Sequence, residues 1–168
     1  RLKYHVLHDN LTGLYNRAFF EKKMSRLNRK KDYPITIVSL DLDCLKIVND
    51  MMGHDIGDQL LKDLAKILKS SLRSSDIVAR IGGDEFVIIF PDSNKKTVEV
   101  TLERIRQNAD IYNKKQNIPL SFSIGVATAE NPANNLREIL KQADENMYRN
   151  KLFQKENSQD KIFQHLLS

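Results

Sequence analysis

A β-hairpin is predicted by the stretch from Ile77 to Phe90, which reads IVARIGGDEFVIIF. Two apolar, mostly β-branched runs flank a glycine pair at 82–83, and glycine supplies the backbone angles that a tight turn needs. Asp84 and Glu85 follow directly, although the start of a strand usually carries few polar residues. Adjacent carboxylates next to glycine indicate a bound cation or a ligand that approaches the bare backbone. The alternative is a polar hairpin tip without further function.

Outside the hairpin, the hydrophobic pattern predicts an α+β domain. Helices are expected at about 17–31, 44–51, 56–73, 95–114 and 135–150, and further strands at about 35–43 and 120–128. Asp55 is expected to cap the third of these helices. Without the leading helix the order is βα-ββ-αβ, which is the ferredoxin-like or palm-type pattern. We therefore expect an antiparallel sheet of about five strands, with its flanking helices packed on one face.

The two ends of the chain are expected to lie outside this domain. Residues 1–8 resemble the last turn of an incoming helix or linker, and residues 9–155 form the domain itself. Residues 156–168 are polar at first and then amphipathic, which predicts a linker leading into a helix whose packing partner is missing. The apolar residues of that tail are Ile162, Phe163, Leu166 and Leu167.

The composition is that of a soluble globular protein with one domain. The 168 residues include 27 Lys and Arg against 22 Asp and Glu, so the net charge of +5 favours an anionic partner. There is no Trp and no cluster of basic and aromatic residues, so nucleic acid is not expected as a partner. No apolar run approaches the roughly 18 residues of a membrane span, and direct membrane contact is not expected. The single cysteine excludes an internal disulfide, and a cytoplasmic location is expected.

A group of carboxylates is predicted where the first strand meets the hairpin. Asp41 and Asp43 end that strand, and in a ferredoxin-like core Asp41 would approach Asp84. Two carboxylates at a sheet end suit Mg²⁺, and two-metal phosphoryl or nucleotidyl transfer uses such a site. Asp43 lies on the same strand face as Asp41, but it could instead be the N-cap of the next helix. Asp84 and Glu85 are neighbours along a strand, so they should serve different purposes.

The chain resembles the GGDEF family of diguanylate cyclases, which join two GTP molecules into cyclic di-GMP with loss of two pyrophosphates. Besides the hairpin, several segments match the family's motifs in order and at the expected spacing. They are Asp9–Arg17 (DNLTGLYNR), Asp41–Asp50 (DLDCLKIVND), Gly53–Asp58 (GHDIGD), Ser123–Val126 (SIGV) and Ala143–Tyr148 (ADENMY). The resemblance implies a fold similar to the catalytic domains of nucleotidyl cyclases. The chain departs from the pattern at Leu45, usually Phe, and lacks the family's closing Gly-Arg-Asn.

The resemblance implies a metal site and a catalytic group. The side chains of Asp41 and Asp84 and the carbonyl of Leu42 would bind Mg²⁺ or Mn²⁺, with two ions in each active site. Glu85 would be the general base for the 3′-hydroxyl, and Lys46 would lie near the phosphates. Catalysis would therefore rest on Glu85, Asp84 and Lys46.

The resemblance also implies the residues that bind GTP. Asn49 and Asp58 align with the family's pair of guanine-binding residues. A carboxylate can accept hydrogen bonds from the N1–H and N2–H groups of guanine, and an amide can both donate and accept. Adenine lacks that donor pair, so Asp58 would discriminate against ATP. The other implied contacts are His54, which could instead brace its loop, the backbone amides of Cys44 and Leu45, and the phosphate-contacting Lys151 and Lys155. Lys155 stands where the family usually has Arg.

A product-binding inhibitory site is implied by Arg73 and Asp76, which match the family's R-x-x-D pattern, and Arg104 aligns with an arginine of the same pocket. The plain alternative is a local ion pair or a helix cap. The function implied is that of an active diguanylate cyclase that works as a homodimer, with cyclic di-GMP as product and inhibitor. A sensory domain upstream, a second domain downstream and tethering to the membrane through upstream regions would fit the family.

Two other functions remain open. The first is a catalytically silent module that binds GTP or cyclic di-GMP and regulates a neighbouring domain. Intact Asp41, Asp84 and Glu85 argue against it. The second is a nucleic-acid-binding or polymerase-like palm domain, which the predicted guanine pair of Asn49 and Asp58 opposes.

Overall fold

The computed structural model describes residues 6–167, apart from the side chains of residues 154–158 and 165. Its helices are α1 (Arg17–Arg26), α2 (Leu45–Met52), α3 (His54–Ser71), α4 (Lys95–Asn113) and α5 (Leu136–Leu167). Its strands are β1 (Ile35–Leu42), β2 (Ile77–Arg80), β3 (Glu85–Phe90) and β4 (Phe122–Ala129). A short 3₁₀ helix, Lys30–Asp32, precedes β1. None of the helices in the described residues is long and apolar enough to span a membrane.

The four strands form one antiparallel sheet in the order β2-β3-β1-β4. The predicted α+β class, with an antiparallel sheet and flanking helices, is confirmed. The predicted number of about five strands is too high for the described residues. The four strands of the sheet are the four that the local sequence pattern predicts one by one, and after β4 the chain continues as α5.

Helices cover both faces of the sheet, so the prediction of packing on one face is wrong. One core cluster joins Leu40 and Phe86 to residues of α3 and α4, and the other joins Ile37 and Ile89 to residues of α1 and α5. All eight residues of β1 are buried. Successive side chains of a strand point to opposite sides, so burial of every residue means that β1 is covered on both faces, including its polar Thr36, Ser39 and Asp41.

Most predicted helices are found, with two changes near their ends. The helix predicted at 17–31 ends at Arg26, and a separate 3₁₀ turn follows. Asp55 is not a cap, because α3 begins at His54 directly after Gly53. Asp55 instead lies in the first turn, where an acidic side chain is favoured by the helix dipole.

The C-terminal tail does not have the predicted linker. Helix α5 runs without interruption from Leu136 to Leu167, and Ile162 is only 1% exposed within the core that contains Leu64. Its partner is therefore this domain, although Leu167 remains 85% exposed. At the other end, residues 1–5 of the predicted incoming helix lie outside the described residues.

Helix α5 is attached directly to the edge strand β4. A Cβ at Gly125 would lie 2.0 Å from the carbonyl oxygen of Ala143, so only glycine permits this close approach of helix to strand. The side-chain amides of Asn146 and Asn150 donate to the carbonyls of Val126 and Ile124, at 3.0 and 2.6 Å. These bonds satisfy backbone groups at the edge of the sheet and fix the position of α5.

Candidate active site

The carboxylates at the end of β1 meet the hairpin as the topology predicted. Asp41 is the antiparallel partner of Glu85, and the backbone N–H of Leu42 donates to the carbonyl of Asp84 at 2.9 Å. Backbone pairing therefore places Asp84 beside Asp41. Asp84 is half-buried whereas Glu85 is exposed, which agrees with the expectation that these neighbours differ in environment.

The charge balance at this sheet end is dominated by burial. Burial raises the pKa of Asp41 to about 7, a hydrogen bond from Lys151 opposes the rise, and the nearby carboxylate of Asp84 adds to it. The Lys151 ammonium donates to Asp41 Oδ2 and lies 4.0 Å from Asp43 Oδ1. Burial would lower the pKa of Lys151, but the three surrounding carboxylates raise it overall. Lys151, implied by the resemblance as a phosphate contact, is thus held among the acidic residues.

Asp43 is not a helix cap. Its two carboxylate oxygens accept from the hydroxyls of Ser121 and Ser123 at 3.1 and 3.0 Å, and the residue is buried. Cys44 occupies the N-cap position of α2 in a left-handed conformation, with φ of 62°. The other interpretation, in which Asp43 shares a strand face with Asp41, agrees with the structure. The two serines that bind Asp43 follow α4 in the chain, so the sequence around Asp43 gives no indication of them.

The glycines of the hairpin turn do not serve the purpose expected of them. Neither has a positive φ, a conformation that among the described glycines is confined to Gly13 and Gly53. A Cβ placed on Gly83 would meet nothing within 4 Å, so the space above the turn is open. The turn geometry alone does not require glycine here, and the bare backbone leaves room for a ligand.

One arginine that the sequence analysis did not single out joins the turn to the N-terminal segment. Arg80 donates through Nε and Nη2 to the carbonyl of Gly83, at 3.2 and 2.8 Å, and through Nη1 to Asp9 Oδ2 at 3.2 Å. The amide and hydroxyl of Thr12 also donate to Asp9. Burial raises the pKa of Asp9, but the bonds from Thr12 and Arg80 outweigh it and lower the value overall. The sequence offered one indication of this role for Arg80, which is its position two residues before the glycine pair.

The residues at this sheet end fit a divalent cation. Asp41 Oδ1 is buried and has no hydrogen-bond partner, and Asp84 brings a second carboxylate beside it. Buried carboxylates that repel one another are stabilised by a cation, and hard oxygen ligands suit Mg²⁺. Within the part of the chain that is described, no three acidic, His or Cys side chains form a metal cluster. The protein would therefore supply few ligands, which is usual where a substrate's phosphates complete the coordination.

The remaining predicted GTP contacts lie on α2 and at the start of α3. Lys46 and His54 are exposed, Asp58 is half-buried, and Leu45 is partly buried in the first turn of α2. Asn49 Oδ1 is buried without a hydrogen-bond partner and lies against Gly57. The side chain of Lys155 lies outside the described residues. The assignment of all these groups to GTP stays a prediction.

The predicted inhibitory residues come together in two ways. Arg73 pairs with Asp76, donating through Nη2 and Nε at 2.9 and 3.3 Å, and its Nη2 also donates to Ser93 Oγ at 2.8 Å. The local ion pair of the plain alternative is therefore present. Arg73 and Arg104 also line one open cavity of about 450 Å³, together with Lys96. The structure thus places two guanidinium groups at one cavity, and its role as an inhibitory site stays a prediction.

Comparison with known proteins gives a consistent result. The family model for the diguanylate cyclase GGDEF domain matches residues 6–157. The response regulator PleD of Caulobacter vibrioides is 33% identical over 151 residues, which cover 85% of this chain and 33% of PleD. The Escherichia coli protein named "Probable diguanylate cyclase DgcE" is 36% identical, over 90% of this chain and 14% of that protein. The chain thus spans a third or less of the length of these curated relatives.

Solved structures show the same fold. The coiled coil and GGDEF domain of DgcB from Caulobacter crescentus, in complex with c-di-GMP, has a TM-score of 0.81 and 28% identity, and the match covers 89% of this chain and 83% of that one. Diguanylate cyclase SiaD of Pseudomonas aeruginosa, in complex with its activator SiaC, has a TM-score of 0.80 and 28% identity, over 89% and 60% of the two chains.

Proposed function

The chain belongs to the GGDEF family of diguanylate cyclases, and we propose that it condenses two GTP molecules into cyclic di-GMP and two pyrophosphates. The observation that carries this proposal is the meeting of Asp41 and Asp84 below an open turn, with Glu85 exposed beside them. Two partly buried carboxylates that repel each other reduce the stability of the fold, so a chain without catalytic function would gain by losing them.

In the proposed reaction, the 3′-hydroxyl oxygen of one GTP attacks the α-phosphorus of the other. The new bond joins that oxygen to phosphorus, the bond from the α-phosphorus to the pyrophosphate oxygen breaks, and the hydroxyl proton passes to Glu85. In a second, equivalent step, the 3′-hydroxyl of the other nucleotide attacks the α-phosphorus of the first, which closes the ring and releases the second pyrophosphate. One domain presents one such turn, so the reaction requires two copies that face each other as a homodimer.

Asp41 and Asp84, with the carbonyl of Leu42, are the proposed ligands for two Mg²⁺ or Mn²⁺ ions. Such ions stabilise charge on the phosphates and favour ionisation of the attacking hydroxyl. Lys46 and Lys151 would add fixed positive charge near the phosphates, with Lys155 and the backbone amides of Cys44 and Leu45 as further contacts. His54 would contact the ribose or phosphate side of GTP.

Guanine recognition is assigned to Asn49 and Asp58. The two residues belong to neighbouring helices, α2 and α3, which pack against each other through Leu45 and Gly57. Asp58 would accept from the N1–H and N2–H groups of guanine, and adenine would leave that acceptor unpaired. GTP in the cytoplasm is the proposed substrate, and a cytoplasmic location belongs to the same proposal.

Product inhibition is proposed at the cavity of Arg73 and Arg104. Arg73 and Arg104 are exposed, and although Arg104 Nη1 donates to the carbonyl of Ser71 and Arg73 to Asp76, their remaining guanidinium donors suit the phosphates or guanine edge of cyclic di-GMP. Asp76 is occupied by Arg73 in the structure, so binding of the product through Asp76 would require that this ion pair opens. The same cavity favours the second candidate function, a silent module that binds cyclic di-GMP and regulates a neighbouring domain.

The deciding experiment uses the chain fused to a dimeric coiled coil and incubated with GTP and Mn²⁺. We expect cyclic di-GMP to form, as measured by chromatography, and Asp84→Ala to abolish it while the fold is retained by circular dichroism. Bound GTP without product would move the assignment to the silent module. Full activity of Asp84→Ala would show that the metal assignment is wrong.

A further inference from the structure

Helix α3 touches α2 at a point where only a glycine fits. A Cβ built on Gly57 would lie 1.8 Å from Asn49 Oδ1, 2.9 Å from Asn49 Cγ and 3.2 Å from Leu45 Cδ1. Real Cβ atoms essentially never approach another heavy atom within 3.0 Å. The carboxamide of Asn49 therefore fills the space that the side chain of any other residue at position 57 would take.

This contact gives the Asn49 carboxamide a direction. Oδ1 is buried without a hydrogen-bond partner, and it lies next to the Cα hydrogens of Gly57, which can form weak C–H···O contacts. The opposite orientation would place the Nδ2 donors against the Cα–H groups of Gly57, which cannot accept a hydrogen bond. Because Oδ1 and Nδ2 lie on opposite sides of Cγ, burial of Oδ1 directs the Nδ2 donors away from α3.

We propose that Gly57 is a positioning residue for purine specificity. By admitting Oδ1 of Asn49 it holds Nδ2 as a donor toward the base, where guanine presents the O6 acceptor and adenine presents an amino donor. Gly57 directly precedes Asp58, so one turn of α3 sets both groups that face the base. The inference rests on the proposed function, in which Asn49 and Asp58 contact guanine.

The test compares binding of nucleotides that cannot be turned over. Titration calorimetry with the α,β-methylene analogues of GTP and ATP, in the presence of Mg²⁺, is applied to the wild-type chain, Gly57→Ala, Asn49→Ala and the double variant. We expect Gly57→Ala to weaken binding of the guanine analogue about tenfold, the equivalent of one lost hydrogen bond, while the adenine analogue is unaffected. Gln59→Ala, an exposed position on the same helix, is the control and should change neither affinity.

The double variant separates positioning from simple packing. If the clash with Asn49 is the cause, then Gly57→Ala should add no loss once residue 49 is alanine, which is a strongly non-additive result. Unchanged discrimination by Gly57→Ala, or losses that add, would overturn the inference. A wild-type chain that binds neither analogue would instead contradict the proposed function.

A second variant keeps the test decisive if Gly57→Ala does not fold. Asn49→Asp keeps the shape of the side chain but replaces the Nδ2 donor by an acceptor. We expect it to lose preference for the guanine analogue by about tenfold, since an acceptor would then face O6. Retained guanine preference in Asn49→Asp would show that Nδ2 does not face the base and would refute the proposed orientation.

Discussion

Truncation of Arg80 should weaken both the fold and the reaction, because this side chain joins the N-terminal segment to the hairpin turn. Its guanidinium bonds to the Gly83 carbonyl and to Asp9 at the same time. Both partners of the ion pair are largely buried, with 16% and 22% of the side chains exposed. Asp9 keeps its bonds from Thr12, so its carboxylate would not be left entirely without donors.

These contacts give the expected magnitude. Hydrogen bonds to charged groups contribute about 1.5–3 kcal/mol. Arg80→Ala removes the bonds to both Gly83 and Asp9, but Asp9 keeps its bonds from Thr12, so we expect a destabilisation of about 2–3 kcal/mol. For a domain of this size that is a drop in Tm of roughly 5–10 °C. Arg80→Lys should lose about 1 kcal/mol, because one ammonium cannot span both partners as the planar guanidinium does.

The assay is thermal unfolding by circular dichroism, with product formation by the coiled-coil fusion measured in parallel. The matched control is Arg137→Ala, which removes an exposed ion pair with Glu21 and should change stability by less than about 1 kcal/mol. Arg80→Ala should also form cyclic di-GMP more slowly, because the turn that carries Asp84 and Glu85 loses its fixed carbonyl. Equal Tm values for the Arg80 and Arg137 variants, with full activity in both, would refute the reasoning.

The same pair has a pH dependence of known sign. The pKa of Asp9 is lowered in the folded state, so its stabilising effect is fully present above the ordinary aspartate value of about 4. It is lost as the pH falls through the lower folded-state value. The difference in unfolding free energy between wild type and Arg80→Ala should therefore be constant from pH 7 to 5 and shrink below about pH 4. A difference that grows on acidification would contradict the assignment.

Three further predictions concern the ends of the sheet and the tail. Gly125→Ala should push α5 off β4, because its Cβ would meet the Ala143 carbonyl, and unfolding measurements should show a loss of about 1–3 kcal/mol together with slower product formation. Ile162→Ala should cost about 2–4 kcal/mol by the same measurement whereas Leu167→Ala should be nearly neutral, and equal small effects would mean that the tail does not pack on this domain. Binding of Mn²⁺ with GTP, followed by the loss of the free-ion electron paramagnetic resonance signal, should weaken at least tenfold in Asp84→Ala, and unchanged binding would exclude Asp84 as a ligand.

The sequence was sufficient for the parts of the fold that depend on local pattern. The β-branched runs on each side of the turn predicted the hairpin, and the βα-ββ-αβ order predicted that Asp41 would approach Asp84. The packing of helices on both faces was missed because β1 carries polar residues at Thr36, Ser39 and Asp41, and the structure buries these residues instead of exposing them on a solvent face. The number of strands was overestimated although the local patterns mark only four strands, which are the four that form the sheet.

The cap alternative for Asp43 and the predicted linker both failed because of contacts that are distant in sequence. Asp43 before a helix is a good local candidate for a cap, but its partners Ser121 and Ser123 lie about 80 residues further along the chain. The tail has the polar composition of a linker, yet Lys, Glu and Gln are also good helix formers, and Ile162 has a place in the core. Local propensity could not choose between these outcomes, whereas tertiary packing does.

The position of Lys151 shows how the edge of the sheet and the acidic group depend on each other. Asn150, its immediate neighbour, donates to the Ile124 carbonyl on β4, and Lys151 donates to Asp41 on β1. Because β1 and β4 are paired along their whole length, the helix that carries Lys151 is held to the same rigid sheet that carries Asp41. A lysine on a loop would lose both backbone and side-chain entropy on reaching the carboxylates, whereas docking of α5 has already fixed the backbone of Lys151 and leaves only the side-chain loss. Substitutions at Asn146 or Asn150 should therefore change the position of Lys151 relative to Asp41, although neither asparagine contacts the carboxylates.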